Sequence, residues 1–175
     1  MHINFEFKAS SKNIDQLEEI LLQYHPEYKG LDHQVDTYFH VTHGRLKLRQ
    51  GRIENALIHY HRQNIAGAKQ SDVTLYQHAP SNSLMEVLEK ALGILVIVDK
   101  KRKIYFIDNI KFHFDEVREL GSFVEVEAID TDGKIGIDKL KEQCSHWASV
   151  FGLEEKDFIA QSYSDLLLAK NSSIP

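Results

Sequence analysis

The residues in this sequence that could do chemistry are charges that alternate with apolar side chains. In an extended strand, residues i, i+2 and i+4 share a face. Arg45, Lys47 and Arg49 therefore share one face, with Leu46 and Leu48 opposite. The same spacing groups Glu6 with Lys8, Tyr60 with Arg62, Lys100 with Arg102, and Glu125 with Glu127. Lys111, His113 and Asp115 form a further set, opposite Phe112 and Phe114. Guanidinium forks and ammonium groups suit phosphate oxygens, and paired carboxylates suit a hard divalent cation. Two arrangements fit this periodicity. In one, each charged face meets solvent, as in any one-sided antiparallel sheet. In the other, the sheet closes with its charges inward, so that bases and acids line one lumen. Buried like charges are costly, so such a lumen needs a polyanion on its basic side and a divalent cation on its acidic side.

The elements that carry these residues read mostly as strands. Ile3, Phe5 and Phe7 alternate with Asn4, Glu6 and Lys8, a period of two. Further strands are predicted over 33–41, 45–50, 55–62, 72–78, 94–107, 110–117 and 121–130. Thr42-His43-Gly44 and Asp108-Asn109 are turn signals between neighbours. Ile14, Leu17, Ile20, Leu21 and Tyr24 fall on one helical face, with Ser10 or Ser11 as N-cap and Gly30 as the stop. A short helix follows Ser81 or Ser83 and ends before Gly93. Two more are predicted over 137–151 and 156–169. Eight antiparallel strands in an open sheet would leave long edges, and closure removes them. The expected fold is α+β: an eight-stranded antiparallel β-barrel with helices packed outside.

Other residues take plainer readings. Trp147 belongs to the apolar stripe of its helix, and Cys144 beside it is expected to be an inert buried thiol. Tyr163 is read as a core aromatic of the last helix. Glu154-Glu155 is read as that helix's charged first turn. His59 and His61 have a spacing that suits zinc. They point outward if Arg62 points inward, and no third ligand is evident. The 175 residues form a single domain, 1–175, with 170–175 as a frayed tail. The longest apolar run, Ile94–Val98, is too short for a membrane-spanning helix, and the N-terminus does not resemble a secretory signal. One cysteine excludes an internal disulfide and suits a cytoplasmic protein. Acidic residues outnumber basic ones, 26 to 21, which disfavours nonspecific nucleic-acid binding.

Several segments, in order, resemble one family. Asn4-Phe-Glu6-Phe-Lys8 resembles an E-x-E-x-K strand, and Asp36-Thr-Tyr38-Phe a D-T-Y-F segment. Arg45-Leu-Lys47-Leu-Arg49 matches R-L-K-L-R. Leu57-Ile-His-Tyr60-His-Arg62 resembles L-I-x-Y-x-R, and Lys69-Gln-Ser71 resembles K-x-S. Val98-Asp-Lys100-Lys-Arg102 resembles V-x-K-x-R. The run from His113 to Glu127 is close to H-L-D-x-V-x-x-L-G-x-F-x-E-x-E, and Ser162-Tyr163-Ser-Asp165 resembles the C-terminal helix. The ordered set is similar to the CYTH superfamily of triphosphate tunnel metalloenzymes, and within it to the class IV adenylate cyclases.

That resemblance implies a charged eight-stranded tunnel holding a triphosphate such as ATP together with Mg²⁺ or Mn²⁺. Lys8, Arg45, Lys47, Arg49, Arg62, Lys69, Lys100 and Arg102 are then expected to grip phosphates. Glu6, Asp115, Glu125 and Glu127 are expected to hold metal. The family's first Glu is Asn4 here, which removes one charge and implies weaker metal binding or one metal site lost. As a cyclase, the enzyme makes cyclic AMP and pyrophosphate from ATP. The alternatives are an inorganic, thiamine or nucleoside triphosphatase, or a binder of triphosphate or polyphosphate without turnover. Thiamine triphosphatase relatives use a Lys–Tyr pair beside the attacking water. Tyr38 matches that Tyr as the candidate catalytic residue. Tyr60 stands where the Lys falls, so the pair is incomplete in sequence. Cyclase-type relatives are often dimers, so the resemblance also implies a homodimer, with neither nucleic acid nor membrane as partner.

Overall fold

The computed structural model describes residues 2–62 and 66–173, excluding the side chains of His2 and Arg62. Eight strands run β1 (His2–Ser10), β2 (Glu27–Phe39), β3 (Arg45–Gln50), β4 (Asn55–Arg62), β5 (Lys69–Gln77), β6 (Ile94–Ile107), β7 (Ile110–Val117) and β8 (Gly121–Asp130). Four helices interrupt them: α1 (Ile14–Leu22), α2 (Asn82–Leu92), α3 (Ile137–Val150) and α4 (Tyr163–Ser172). The strands close in the order β1-β5-β4-β3-β2-β6-β7-β8. Every neighbouring pair is antiparallel, with β8 returning to β1. No sheet edge is left unpaired, which is the physical reason that strands this long stay single.

The alternation decides which side chains face the barrel axis. Phe5, Phe7, Phe112, Phe114, Val124 and Val126 point outward into a core closed by α1 and α3. Leu21, Leu140 and Cys144 are completely buried there. Phe112 meets Trp147 edge-to-face at 4.6 Å, and Tyr24 meets the same indole at 5.0 Å. Burial of each such ring contributes about 1.5–3 kcal/mol. Burial pushes the Cys144 thiol up to about 12, which makes it the inert thiol expected. A second core plugs one end of the barrel, where Tyr163 and Leu167 of α4 pack on Tyr38, Val96, Val117 and Phe123. The helices thus cover only part of the barrel. α2 has no buried residue, and Leu95 and Ile97 of β6 remain exposed.

Several local expectations are corrected. Asn13, not Ser10 or Ser11, caps α1. Ser10 is held extended opposite Phe123, and the Ser11 hydroxyl accepts the Asn13 N–H at 3.1 Å. Gly30 does not stop that helix. It lies inside β2 at φ 130°, where the register against β6 shifts between Tyr28 and Gly30. The long partner β6 draws the polar segment from Glu27 into the sheet, six residues before the predicted start. The last helix begins at Tyr163 and runs on to Ser172, so part of the expected frayed tail is helical. Glu154 and Glu155 belong instead to a 3₁₀ turn over Glu155–Asp157. The next residues cross the barrel end, with Ile159 N–H donating to the Lys8 carbonyl at 2.8 Å.

Candidate active site

Inside the barrel lies one cavity of about 600 Å³. Tyr163 forms its floor, and Ile53, Glu54 and His78 stand at its other end. The turn that carries Ile53 and Glu54 is wrapped around Asp32. The Asp32 carboxylate accepts the N–H groups of Arg52, Ile53 and Glu54 at 2.6–3.0 Å. A Cβ on Gly51 would lie 2.6 Å from an Asp32 oxygen, so only glycine lets the chain approach this closely.

On one wall, three cations converge on a single carboxylate. Arg49 grips Asp36 with Nε at 2.9 Å and Nη2 at 3.0 Å. Lys47 Nζ donates to the same group at 3.0 Å and Lys100 Nζ at 2.8 Å. Asp36 is 1% exposed. Burial opposes its charge, but Arg49, Lys100 and Lys47 hold its carboxyl well below the usual carboxylate range. Burial also brings Lys100 down to about 7, against the pull of Asp36. Arg49 continues to Glu54 at 2.9 Å, and Lys111 pairs with the other Glu54 oxygen.

The opposite wall is acidic. Arg102 forks onto Asp115 at 2.7 and 2.6 Å and reaches Glu125 at 2.8 Å. Tyr163 donates to Asp115 at 2.7 Å. His113 Nδ1 stands 3.6 Å from Glu125 and 3.5 Å from Glu127. Both His113 ring nitrogens are buried without a hydrogen-bond partner. Burial, with Arg102 and Lys111 nearby, pushes His113 down to about 3, so its ring is neutral at pH 7. Burial and the adjacent Glu125 push Glu127 up to about 7. Burial works against Glu125 too, yet the cations Lys8 and Arg102 keep it well below the carboxylate range. His113, Glu125 and Glu127 offer ligand atoms within 4.8 Å of one another. A neutral imidazole with orphaned nitrogens beside two carboxylates is a donor set that fits a divalent cation.

The expected phosphate residues divide. Lys8, Lys47, Arg49, Lys100 and Arg102 line the cavity, as do Tyr38 and the acids Glu6, Glu125 and Glu127. Lys47 and Glu125 therefore face one space. Arg45 instead meets the cap of α4, donating to Asp165 at 2.9 Å, and Lys69 donates to the Ala160 carbonyl at 2.9 Å. Neither is part of the cavity wall. Asp115 is turned to Arg102 and Tyr163. Arg62 ends β4 opposite Ser71, and its side chain lies outside the described residues. Outward placement of His59 holds: its Nε2 meets the His43 carbonyl at 3.0 Å.

The lumen also carries Lys111, from the face that alternation groups with His113, and two groups not expected there, Asp36 and Glu54. Alternation could have found Asp36, which shares a face with Tyr38. Glu54 sits in a turn, where no periodicity applies. Together these groups change the charge balance. Six basic and five acidic residues line the cavity, so the wall supplies its own counter-charge. A polyanion is not required to hold it together.

The same architecture recurs in solved structures. A Pyrococcus horikoshii protein, PH1012, superposes with a TM-score of 0.80 at 18% identity, over 93% of this chain and 98% of its own. A candidate adenylate cyclase from Vibrio parahaemolyticus gives 0.77 at 19%, over 95% and 98%. A candidate adenylyl cyclase from Hippeastrum, described as having a dominant triphosphatase activity, gives 0.61 at 14%, over 100% and 98%. These likenesses show the fold. No curated protein sequence matches the chain. The CYTH domain model matches residues 2–163, and with all eight strands of the barrel inside that match, the chain belongs to the CYTH family.

Proposed function

We propose that the protein is a metal-dependent enzyme acting on a triphosphate, with class IV adenylate cyclase chemistry as the leading reading. The observation that carries it is the pairing, in one cavity, of a basic wall (Lys47, Arg49, Lys100) with an acidic corner (Glu125, Glu127) backed by the buried, neutral His113. Lys8, Lys47, Arg49, Lys100 and Arg102 bind and orient the phosphates, holding attacking and leaving oxygens in line. Glu125 and Glu127, with His113, would hold Mg²⁺ or Mn²⁺. A divalent cation held there would neutralise phosphate charge and lower the pKa of an attacking hydroxyl. Asp115 holds Arg102 in place. In the cyclase reaction the ribose 3′-hydroxyl gives its proton to solvent, its oxygen bonds to the α-phosphorus, the α–β bridge breaks, and pyrophosphate leaves with the bridging oxygen.

A specific contact favours a second reading, a triphosphatase. The Tyr38 and Tyr60 hydroxyls are 3.5 Å apart, and Lys47 Nζ lies 5.5 and 5.6 Å from the two rings. This proximity supports a Lys–Tyr pair in which Lys47 of β3 takes the role of the lysine missing from the Tyr60 position. The Hippeastrum neighbour's described triphosphatase activity supports the same reading.

One assay separates the readings: incubation with ATP, thiamine triphosphate and inorganic triphosphate, each with Mn²⁺ or Mg²⁺, and identification of products. Cyclic AMP with pyrophosphate supports the cyclase, and orthophosphate the triphosphatase. Tight binding without product supports the binder. Glu127→Gln should abolish metal-dependent turnover and leave the melting temperature intact. Full turnover in that variant refutes the metal assignment.

A further inference from the structure

The cavity is not charged all round. Its β4–β5 wall presents Ala56, Ile58, Val73 and Leu75, none of which can contact a phosphate favourably. Toward the mouth, beside Asn55 and Gln77, two apolar side chains stay exposed: Leu75 of this wall at 43% and Ile53 of the preceding turn at 44%. Beside them is His78, held by its own N–H donating to the Asn55 carbonyl at 3.3 Å, one step beyond the β4–β5 ladder. Its ring nitrogen Nδ1 lies 2.6 Å from the Ala79 carbonyl. A carbonyl only accepts, so Nδ1 carries the proton, and in the neutral ring Nε2 is left as an acceptor. That Nε2 is buried, lacks a partner, and belongs to a residue lining the cavity.

We propose that Ile53, Leu75 and His78 form a subsite for the uncharged organic group of a triphosphate ester, with His78 as the specificity-determining acceptor. The group it suits has an apolar body and an N–H or O–H donor, as a nucleobase, a sugar or an aminopyrimidine does. Inorganic triphosphate has neither. An apolar ledge gains from covering by such a group, and a buried acceptor discriminates against ligands that leave it unpaired. The inference rests on the tunnel being a triphosphate site and adds which triphosphates it prefers.

Metal-free calorimetric titration tests it without turnover. The ligands are inorganic triphosphate, the four ribonucleoside triphosphates and thiamine triphosphate. At least one organic triphosphate should bind about tenfold more tightly than inorganic triphosphate. His78→Phe keeps a ring but removes the acceptor. It should reduce that preference about fivefold, the effect of one neutral hydrogen bond, while inorganic triphosphate binds as before. Leu75→Ser should reduce the preference severalfold in the same selective way, and melting curves check that both variants fold. Equal wild-type affinities for organic and inorganic ligands overturn the subsite and leave the tunnel reading standing. So do variants that weaken all ligands alike. If the folded wild type binds no triphosphate at all, the tunnel reading fails and the subsite with it.

Discussion

Replacing Asp36 by asparagine removes one negative charge from the point where Lys47, Arg49 and Lys100 meet at 2.8–3.0 Å. Shape is preserved, but three cations lose their common partner. Breaking a buried ion pair from one side costs about 3–5 kcal/mol, because the remaining charge stays desolvated. For a chain of this length, 1 kcal/mol shifts the melting temperature by about 2–4 °C. Asp36→Asn should therefore melt about 6–20 °C lower. Lys100 can relieve part of this by losing its proton, being already down at about 7. The loss should therefore be larger at pH 6 than at pH 8. Inorganic triphosphate should rescue the variant, since it supplies the anion the three cations lack. A ligand at a hundredfold its Kd adds about 2.7 kcal/mol. Thermal melts of both proteins, with and without triphosphate, read every term. A variant melting within about 2 °C of wild type, or one gaining no more from triphosphate than wild type does, refutes the view that Asp36 is the anion on which these three cations depend.

Two further predictions follow the same charges. Lys100 titrates near 7 when folded and near 10.5 in an unfolded chain. Between those values the unfolded chain holds the extra proton, so this group's contribution to stability rises with pH across that window. Triphosphate favours charged Lys100, so binding at pH 8 should take up a proton. The heat of binding should then change with the ionisation enthalpy of the buffer, and a buffer-independent heat contradicts it. Tyr163→Phe removes the donor to Asp115 at 2.7 Å, a hydrogen bond to a charged group that is worth about 1.5–3 kcal/mol. Urea denaturation should show that loss. An unchanged midpoint means that Arg102 alone satisfies Asp115.

Strand positions were legible in the sequence because alternation survives in isolation. Phe112 and Phe114 against Lys111, His113 and Asp115 announce two faces whatever the neighbours are. The side on which each face lies was not legible from periodicity, since inward charge and solvated charge have the same spacing. Closure, argued from exposed edges and from the family resemblance, settles it. The features that local sequence leaves open are those governed by distant partners. Gly30 ends a helix by local propensity, yet β6 extends β2 past it. Lys69 and Arg45 match phosphate-binding positions by motif. Their contacts with Ala160 and Asp165 depend on where the C-terminal segment crosses the barrel. The α4 cap itself was readable: Ser162 and Asp165 exchange backbone N–H bonds at 3.1 Å, the reciprocal pattern that serine followed three residues later by an acid announces.

The plug formed by α4 has its own consequence. Tyr163 and Leu167 fill one end among the described residues, and Ile159 and Arg45 fasten that segment to the barrel. Among the described residues the interior is thus stopped at that end, and a ligand that enters past Ile53 and His78 meets the Tyr163 ring at the far end.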